Sequence, residues 1–272
     1  MAITKVAEAL AEMGRAGARL DRIDACEAGA GNISVALRHA PGLAEAFPEA
    51  EPFDLPVRAA SLAGWAVLVT GSGCRLRDIG HDPLAAVGAV EVGPDGRTGT
   101  LRHAPGRAWA APTSEFNSHL AVHDDQVGRR PGLGRHAVVH AQPPYLVALS
   151  HIGALAGDSA GLTRRVIRWE PETIVQLPDG LAALVFMVPG SSALQEASVA
   201  ALRGCRIAVW AKHGVMVRSD AGPLGAVDLV EYAETGARYE YLNMAAGSPS
   251  EGLTDAELRA VAEAFGVETT LV

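Results

Sequence analysis

The sequence has few cysteines, few aromatic residues and no excess of positive charge. Its 272 residues include 3 cysteines and 5% aromatics, and 23 Lys and Arg face 31 Asp and Glu. The cysteines, Cys26, Cys74 and Cys205, lie far apart and form no CxxC pair, so they cannot supply a complete disulfide framework. This usage favours a reducing cytoplasm. The net charge of -8, with no run of Lys or Arg, argues against a nucleic-acid partner.

Long apolar runs are also missing. No stretch approaches the ~18 uninterrupted apolar residues of a membrane span, so no membrane partner is expected. The first 20 residues alternate small apolar and charged side chains, which is typical of an amphipathic helix and not of a signal peptide. Hydrophobic residues at 49% and charged residues at 20% are ordinary for a globular chain. Because no repeat or low-complexity linker divides the sequence, residues 1–272 are expected to form one α/β domain.

Apolar periodicity divides the chain into strands and helices. The predicted strands are residues 32–37, 65–70, 87–92, 137–140, 174–177, 181–188, 207–210 and 215–217. The predicted helices are residues 2–25, segments starting at residues 113–114 and 143–144, residues 191–203 and residues 226–246. Residues 40–60, rich in Pro, Ala and Glu, are expected to be irregular. Since strands come in adjacent groups with helices between them, we expect a mixed or antiparallel sheet covered by helices.

Three loops combine small residues with hydroxyl or amide side chains. They are Gly29-Ala30-Gly31-Asn32, Thr70-Gly71-Ser72-Gly73 and Pro112-Thr113-Ser114-Glu115. The second loop follows the apolar run WAVLVT, where small residues let backbone amides approach an anion. The third stands at a predicted helix start, where a hydroxyl can cap the helix and the free amides favour negative charge. Each loop could equally be a plain turn or cap, but together they suggest a small anionic ligand held by neutral donors.

Histidines at predicted strand ends are candidate metal ligands. His140 ends the strand AVVH, Gln142 lies two residues later on the same face, and His213 follows IAVWAK. Two such histidines with a carboxylate can form a metal site open to substrate. A lone strand-end histidine, however, is more often a hydrogen-bonded core residue. His119 and His123 would share one helix face, where they could bind a metal but more often pack or form hydrogen bonds.

Several short motifs occur in a characteristic order along the chain. They are GNIS (31–34), TGSG (70–73), PTSEF (112–116), SHLAVH (118–123), VVHAQP (138–143), VPG (188–190) and HGV (213–215). A long carboxy-terminal helix is predicted to follow. This order resembles the class II aldolase/adducin family over nearly the whole chain. Within the family, PTSEF and the LPDG at 177–180 make the sequence most similar to the rhamnulose-1-phosphate aldolase branch.

The resemblance implies both a fold and a reaction. The implied fold is a single α/β/α domain with a central, mostly antiparallel sheet, assembled as a homotetramer with active sites at subunit borders. The implied reaction is reversible aldol cleavage of a ketose 1-phosphate, first of all L-rhamnulose 1-phosphate, to dihydroxyacetone phosphate and an aldehyde. A divalent metal, Zn²⁺ in the family, is held by three histidines and acts as a Lewis acid. The implied partner is therefore a small phosphorylated sugar.

The resemblance also assigns roles to individual residues. His140 and His213 fall on metal-ligand positions, and Glu115 falls on the catalytic carboxylate that moves the proton. Glu172 falls on a second acidic residue that lies near the metal. The phosphate-binding positions fall on Asn32, Gly71, Ser72, Gly73, Thr113 and Ser114.

Two positions depart from the family pattern. Gln142 stands where the family has the second histidine of an HxH pair, and a neutral amide oxygen is a weaker zinc ligand than imidazole. His151 could substitute only if the following helix breaks early, because it would otherwise lie about 12 Å away. Gly29 stands where the rhamnulose branch often has Asn. Two alternatives therefore remain: an epimerase or decarboxylase of the same family, and a non-catalytic adducin-like interaction module.

Overall fold

The computed structural model describes residues 4–247 and 250–272, which contain nine strands and ten α-helices. The strands are β1 (Asn32–Leu37), β2 (Glu49–Asp54), β3 (Ala66–Thr70), β4 (Val87–Val92), β5 (Thr98–His103), β6 (Arg135–Ala141), β7 (Ala182–Leu184), β8 (Ile207–Trp210) and β9 (Gly214–Ser219). The helices are α1 (Val6–Arg22), α2 (Leu43–Ala46), α3 (Pro83–Ala86), α4 (Phe116–Arg129), α5 (Pro144–Ser150), α6 (Ser159–Ile167), α7 (Pro171–Gln176), α8 (Ser192–Gly204), α9 (Pro223–Ala245) and α10 (Asp255–Ala264).

The nine strands form one sheet in the order β2-β5-β4-β3-β1-β6-β9-β8-β7. Its pairs are antiparallel, except that β7 runs parallel to β8. Helices pack on the sheet, which confirms the expected α/β architecture with a central, mostly antiparallel sheet. Among the described residues, no helix has the length and apolar character needed to cross a membrane.

Alternate residues of the central strands face two different helical layers. Ile33, Val35 and Leu37 of β1 belong to the buried apolar cluster that also contains residues of α1, α5 and α9. Ala36 points to the other face, where a second cluster includes Leu120 of α4. The central part of the sheet is therefore buried on both sides, and the layer of α4 covers the even-numbered residues of β1.

The pairing of β1 with β6 aligns polar residues on the face beneath α4. In this antiparallel register Asn32 lies opposite His140, Ser34 opposite Val138, and residue 36 opposite His136. Because side chains two apart on a strand share a face, the four polar residues of this set all point towards α4. A row of buried polar groups inside an α/β layer requires internal hydrogen bonds, and it is these bonds that organise the site.

Residues 40–60 contain regular structure, so the prediction of an irregular segment was wrong. The segment holds α2 and β2, and β2 pairs with β5, a strand that the sequence analysis did not predict. β2 is an edge strand with no fully buried residue, so it lacks the apolar alternation by which strands are recognised. Its Pro52 is tolerated because edge strands need not donate every backbone N–H.

Two predicted strands were wrong in whole or in part. Residues 174–177 fall largely in α7, because a short apolar run does not distinguish strand from helix and Pro171 begins the helix. Of residues 181–188, only Ala182–Leu184 pair, as the short edge strand β7. The apolar residues that follow, Val185, Phe186 and Val188, are more than half exposed.

Most other predicted elements are confirmed with shifted ends. The helix predicted for residues 2–25 spans Val6–Arg22, and residues 2 and 3 lie outside the described residues. The long helix predicted for residues 226–246 spans Pro223–Ala245. Helices α6 and α10 were not predicted. The capping hydroxyl expected at Thr113 or Ser114 is absent: α4 begins at Phe116, and its N-cap residue, Glu115, makes no side-chain cap.

Candidate active site

Glu115, His140 and His213 converge at one edge of the sheet. One potential ligand atom from each residue lies within 4.8 Å of the others. The Glu115 carboxylate is 3.6 Å from Nε2 of His140 through Oε2, and 3.6 Å from Nε2 of His213 through Oε1. These separations are too long for hydrogen bonds. They are close to the ~3.3–3.5 Å between ligand atoms that share one tetrahedral metal ion at about 2.0–2.2 Å.

His140 is oriented by the strand next to its own. Its Nδ1–H donates to the backbone carbonyl of Val215 on β9 at 2.9 Å. Since a carbonyl can only accept, this bond fixes the tautomer and leaves the lone pair of Nε2 directed at the cluster. Metal-binding histidines typically use their second nitrogen in this way. The ring of Trp210 stacks on His140 with centroids 4.8 Å apart.

His213 lies in the tight connection between β8 and β9. The turn is closed by the N–H of His213 donating to the carbonyl of Trp210 at 3.0 Å. Lys212, the preceding residue, has φ of 63°, a left-handed conformation that non-glycine residues rarely adopt. Burial, followed by the nearby His140, lowers the pKa of His213 to about 4, against the opposing effect of Glu115. The imidazole is therefore neutral at pH 7, as metal binding requires.

Glu115 is held at the start of α4 by a neighbour from β1. The amide Nδ2 of Asn32 donates to Oε2 of Glu115 at 2.9 Å. The other carboxylate oxygen, Oε1, is buried and has no hydrogen-bond partner among the described residues. Glu115 is only 4% exposed. A buried carboxylate oxygen without a partner is costly unless a cation or substrate satisfies it.

The donor set fits a divalent metal. One carboxylate oxygen and two imidazole nitrogens are typical ligands of zinc, and the oriented lone pair of His140 and the unsatisfied Oε1 of Glu115 face the same point. The Nδ1 of His213 also lacks a partner among the described residues. The residues present therefore suit a metal with open coordination positions.

Gln142 lies next to the three converging residues, whereas His151 does not join them. Gly214 borders the side chains of both Gln142 and His140. A Cβ at position 214 would lie 3.2 Å from Cγ of Gln142 and 2.8 Å from Cε1 of His140. When its amide nitrogen faces Glu27, it donates to that carboxylate, at 2.6 Å to Oε1. His151 follows α5, is exposed and lies outside the cluster.

Two of the loops singled out in the sequence are joined by backbone pairing. The N–H of Ser72 donates to the carbonyl of Ala111 at 2.9 Å, and the N–H of Thr113 donates to the carbonyl of Thr70 at 3.0 Å. Gly71 lies against the ring of Trp109, whose Cγ would be 1.9 Å from a Cβ at that position. Only glycine fits there, so the backbone of residues 70–73 is held close to the loop of residues 112–115.

The loop of residues 29–32 completes a shared rim with these two loops. A Cβ at Gly29 would lie 3.3 Å from the carbonyl oxygen of Gly73, and the N–H of Ile33 donates to Oγ1 of Thr70 at 3.2 Å. The side chains of Ser72 and Ser114 are exposed on this rim, and Ser114 directly precedes Glu115 in the chain. The structure thus brings the three loops together next to the converging Glu115, His140 and His213.

Three further candidates have other surroundings. Glu172 lies exposed on α7, and the structure does not place it with the cluster. His119 and His123 share a buried face of α4 and form hydrogen bonds with Asn32 and Ser34 in place of contacts with the converging residues. The alternative of a metal pair on this helix is therefore not supported.

Sequence reasoning missed Gly214, Glu27 and Ser34. Gly214 precedes Val215 in HGV, and its lack of a side chain makes room for the His140 ring. That motif was noted, but only for its histidine. Glu27 and Ser34 carry no local signal, since their partners, Gln142 and the histidines of α4, lie far away along the chain.

Comparison with known proteins places the site in context. Residues 11–241 match the family described as Class II Aldolase and Adducin N-terminal domain. The chain is 32% identical over 213 residues to rhamnulose-1-phosphate aldolase of Enterobacter sp. (strain 638), an alignment that covers 76% of this chain and 73% of that protein. It is 33% identical over 218 residues to the enzyme of the same name from Listeria welshimeri. That alignment covers 77% of this chain and 73% of the Listeria protein.

Solved structures share the fold. A sugar-phosphate aldolase from Thermotoga maritima superposes with a TM-score of 0.74 at 26% identity, over 90% of this chain and 99% of that chain. The L-fuculose-1-phosphate aldolase from Thermus thermophilus superposes with a TM-score of 0.55 at 20% identity, over 90% of this chain and 98% of that chain. At this identity the similarity is one of fold alone.

Proposed function

The chain belongs to the class II aldolase and adducin family, and we propose that it is a metal-dependent aldolase acting on a ketose 1-phosphate. The proposed substrate is L-rhamnulose 1-phosphate, which is cleaved reversibly to dihydroxyacetone phosphate and an aldehyde. Relatives named for that substrate, at 32% and 33% identity, support this choice. Residues 1–272 would act as one domain.

The observation that carries the proposal is the convergence of Glu115, His140 and His213 beside the three loops. A metal site and a rim of neutral donors are the two elements that a phosphorylated ketose requires, one for its carbonyl end and one for its phosphate. A domain that served only to bind another protein would have no need to bury a carboxylate oxygen without a partner.

His140 and His213 would hold the metal, with Gln142 as a weak third ligand once its amide turns away from Glu27. We propose Zn²⁺, because imidazole nitrogen and carboxylate oxygen suit it. When bound, such an ion polarises the substrate carbonyl and stabilises the negative charge that develops on its oxygen. The Val215 carbonyl keeps the lone pair of His140 in place throughout.

Glu115 would move the proton. In cleavage, the C3–C4 bond breaks as the C4 hydroxyl loses its proton and becomes the aldehyde, and the electron pair left on the ketone fragment is neutralised by a proton delivered to C3. The Oε1 atom of Glu115 suits this transfer, because it is the carboxylate oxygen without a partner in the described structure. Asn32 meanwhile holds Oε2.

The loops would bind the phosphate. The exposed hydroxyls of Ser72 and Ser114 and the backbone of Gly71 and Gly73 offer neutral donors, with Thr113 fixing the loop. Asn32 donates one amide hydrogen to Glu115 and has a second one for the phosphate.

A neighbouring subunit would complete the site. Glu172 lies exposed on α7 and is not one of the converging residues of its own chain, so it could be presented to another copy. This placement suits a homotetramer with active sites at its subunit borders. A cytoplasmic location is proposed because the three cysteines are scattered and free.

The test is the release of dihydroxyacetone phosphate from L-rhamnulose 1-phosphate, followed with a coupled reductase. The protein would be assayed as purified, after chelation, and after addition of zinc, cobalt or manganese, with L-fuculose 1-phosphate as a second substrate. We expect cleavage that disappears on chelation and returns with metal. No release from either sugar with any metal, while circular dichroism shows a folded chain, would contradict the aldolase and favour an epimerase, a decarboxylase or an interaction module.

A further inference from the structure

Five buried polar side chains form a continuous hydrogen-bonded chain that ends on Glu115. In order from the carboxylate, its members are Asn32, His119, Ser34, His123 and His136. The five donor–acceptor distances lie between 2.5 and 2.9 Å, and no member is more than 7% exposed. Asn32 is the only described member that forms a hydrogen bond with one of the converging residues, so the remaining members need another explanation.

Three elements contribute to this chain. Asn32 and Ser34 are two apart on β1, His136 comes from β6 beside them, and His119 and His123 are four apart on α4. Side chains two apart on a strand, or four apart on a helix, share a face. All five side chains therefore lie between the sheet and α4. No member is supplied by a flexible loop.

The three histidines are neutral. Burial holds the pKa of His119 and His123 well below the usual value for histidine, and it lowers the pKa of His136 to about 3. A neutral imidazole has one N–H donor and one acceptor nitrogen. Each histidine in the chain can thus donate on one side only and accept on the other.

The carboxylate fixes the direction of every bond. Asn32 donates from its Nδ2 to a carboxylate oxygen of Glu115, so its Oδ1 faces His119, which must donate from Nε2. The Nδ1 of His119 then accepts from the hydroxyl of Ser34, whose oxygen in turn accepts from Nε2–H of His123. Every donor therefore points towards Glu115.

The far end of the chain agrees with this direction. The Nδ1 of His123 accepts, so His136 donates from its own Nδ1 at 2.7 Å, and its Nε2 is an acceptor. That Nε2 is buried without a partner among the described residues. The opposite direction would leave a buried N–H there without an acceptor, which is rarer in proteins than an unused acceptor.

We propose that His119, backed by Ser34 and His123, is a positioning residue that locks the amide of Asn32 so that it donates to Oε2 of Glu115 and leaves Oε1 for the reaction. An amide that flips would present its oxygen to the carboxylate and push it away from the cluster. Since an amide does not readily pass on a proton, the chain sets orientation and does not conduct protons. The catalytic consequence rests on the proposed function of Glu115.

The direction of the chain can be measured without any assay of activity. Long-range proton–nitrogen NMR correlations of the wild-type protein, with ¹⁵N-labelled histidine, report which ring nitrogen carries the proton. Single histidine substitutions would assign the signals. We expect Nε2–H for His119 and His123, and Nδ1–H for His136. The opposite tautomers, with Nδ1–H on His119, would overturn the proposal.

A matched pair of variants tests the consequence for catalysis. In His119→Gln, the amide nitrogen can occupy the place of Nε2 and still donate to Asn32, whereas in His119→Asn the shorter side chain reaches only Ser34. We expect kcat to fall less than about fivefold in the Gln variant and about 100-fold in the Asn variant, because small displacements of reacting groups have effects of this size. KM for the sugar phosphate should change less than about threefold in the Gln variant, which keeps the Asn32 amide in place.

Ser34 provides a second test if the His119 variants do not fold. Ser34→Ala removes the hydroxyl between His119 and His123, and Ser34→Thr keeps it. We expect kcat to fall at least about tenfold in the Ala variant and to recover in the Thr variant. Equal kcat for His119→Asn and wild type, or for Ser34→Ala and Ser34→Thr, would overturn the positioning role. If the wild-type protein cleaves no sugar phosphate yet shows the expected tautomers, the proposed function is wrong, while the direction of the hydrogen-bonded chain stands.

Discussion

Gly214 leaves the space that the ring of His140 occupies. A Cβ at position 214 would come 2.8 Å from Cε1 of that ring and 2.4 Å from the carbonyl oxygen of Ala141. The second neighbour is backbone, so β6 and β9 would have to separate to admit even one methyl group. The close pairing of β6 with β9 at Gly214 therefore sets the position of a proposed ligand.

Gly214→Ala should weaken metal binding and stability together. We expect the zinc dissociation constant to rise by about tenfold or more, as for other changes that displace a metal ligand, and the free energy of unfolding to fall by about 1–3 kcal/mol. Chelator competition and urea unfolding would measure the two quantities.

Gly204→Ala is the matched control. Gly204 ends α8, and a Cβ there meets nothing within 4 Å. Alanine should leave metal affinity unchanged and be neutral or stabilising by up to about 1 kcal/mol. If Gly214→Ala behaves like this control, the account of how His140 is positioned is wrong.

The pair formed by Gln142 and Glu27 suggests a gain-of-affinity variant. In Gln142→His, an imidazole would stand beside His140, with the carboxylate of Glu27 placed to accept from its second nitrogen. Since imidazole binds zinc better than an amide oxygen does, we expect the zinc dissociation constant to fall by about tenfold or more.

His151→Gln should leave zinc affinity unchanged, because His151 is exposed and lies outside the cluster. Both proteins can be titrated in the same chelator competition. An unaltered affinity in Gln142→His would show that a side chain at 142 does not reach the metal, and an altered one in His151→Gln would restore that residue as a ligand.

A buried carboxylate that is not part of the proposed site should make stability depend on pH. Glu234 on α9 accepts hydrogen bonds from the backbone N–H groups of Tyr145 and Leu146 at the start of α5. Burial nevertheless raises its pKa from 4.5 to about 7. The folded chain therefore binds a proton that the unfolded chain has already lost between about pH 5 and 7, so stability falls as pH rises through this window.

Glu234→Gln should remove this dependence. Relative to the variant, the wild-type protein should lose about 3 kcal/mol of unfolding free energy between pH 4 and pH 8, the equivalent of a shift of this size. The comparison uses urea unfolding of both proteins across the range, so that groups common to both cancel. Parallel curves would show that folding does not raise the pKa of Glu234.

The central part of the fold could be predicted from the sequence, whereas its edges could not. Strands such as Ala66–Thr70 are buried on both faces and read as continuous apolar runs. Glu49–Asp54 and Ala182–Leu184 are short edge strands whose pairing depends on a neighbour and leaves little pattern in their own residues. The apolar run at 174–177 fits either a strand or a helix, and it forms part of the helix that begins at Pro171.

The candidate site was predictable only where residues follow strand ends. His140 and His213 were found in that way, and the resemblance to a known family added Glu115. The partners of His119 and His123 could not be predicted, because Ser34 meets them through the packing of α4 on β1. A spacing of four on a helix establishes a shared face, but not what that face contacts.

The central claim is that Glu115 moves the proton in a metal-dependent aldol cleavage. The most direct measurement is the rate of dihydroxyacetone phosphate release from L-rhamnulose 1-phosphate by wild type and by Glu115→Gln, expressed per bound zinc. We expect the wild-type protein to cleave the sugar and the variant, folded and loaded with metal, to lose at least about 100-fold in kcat. Equal rates in the two proteins would contradict the account.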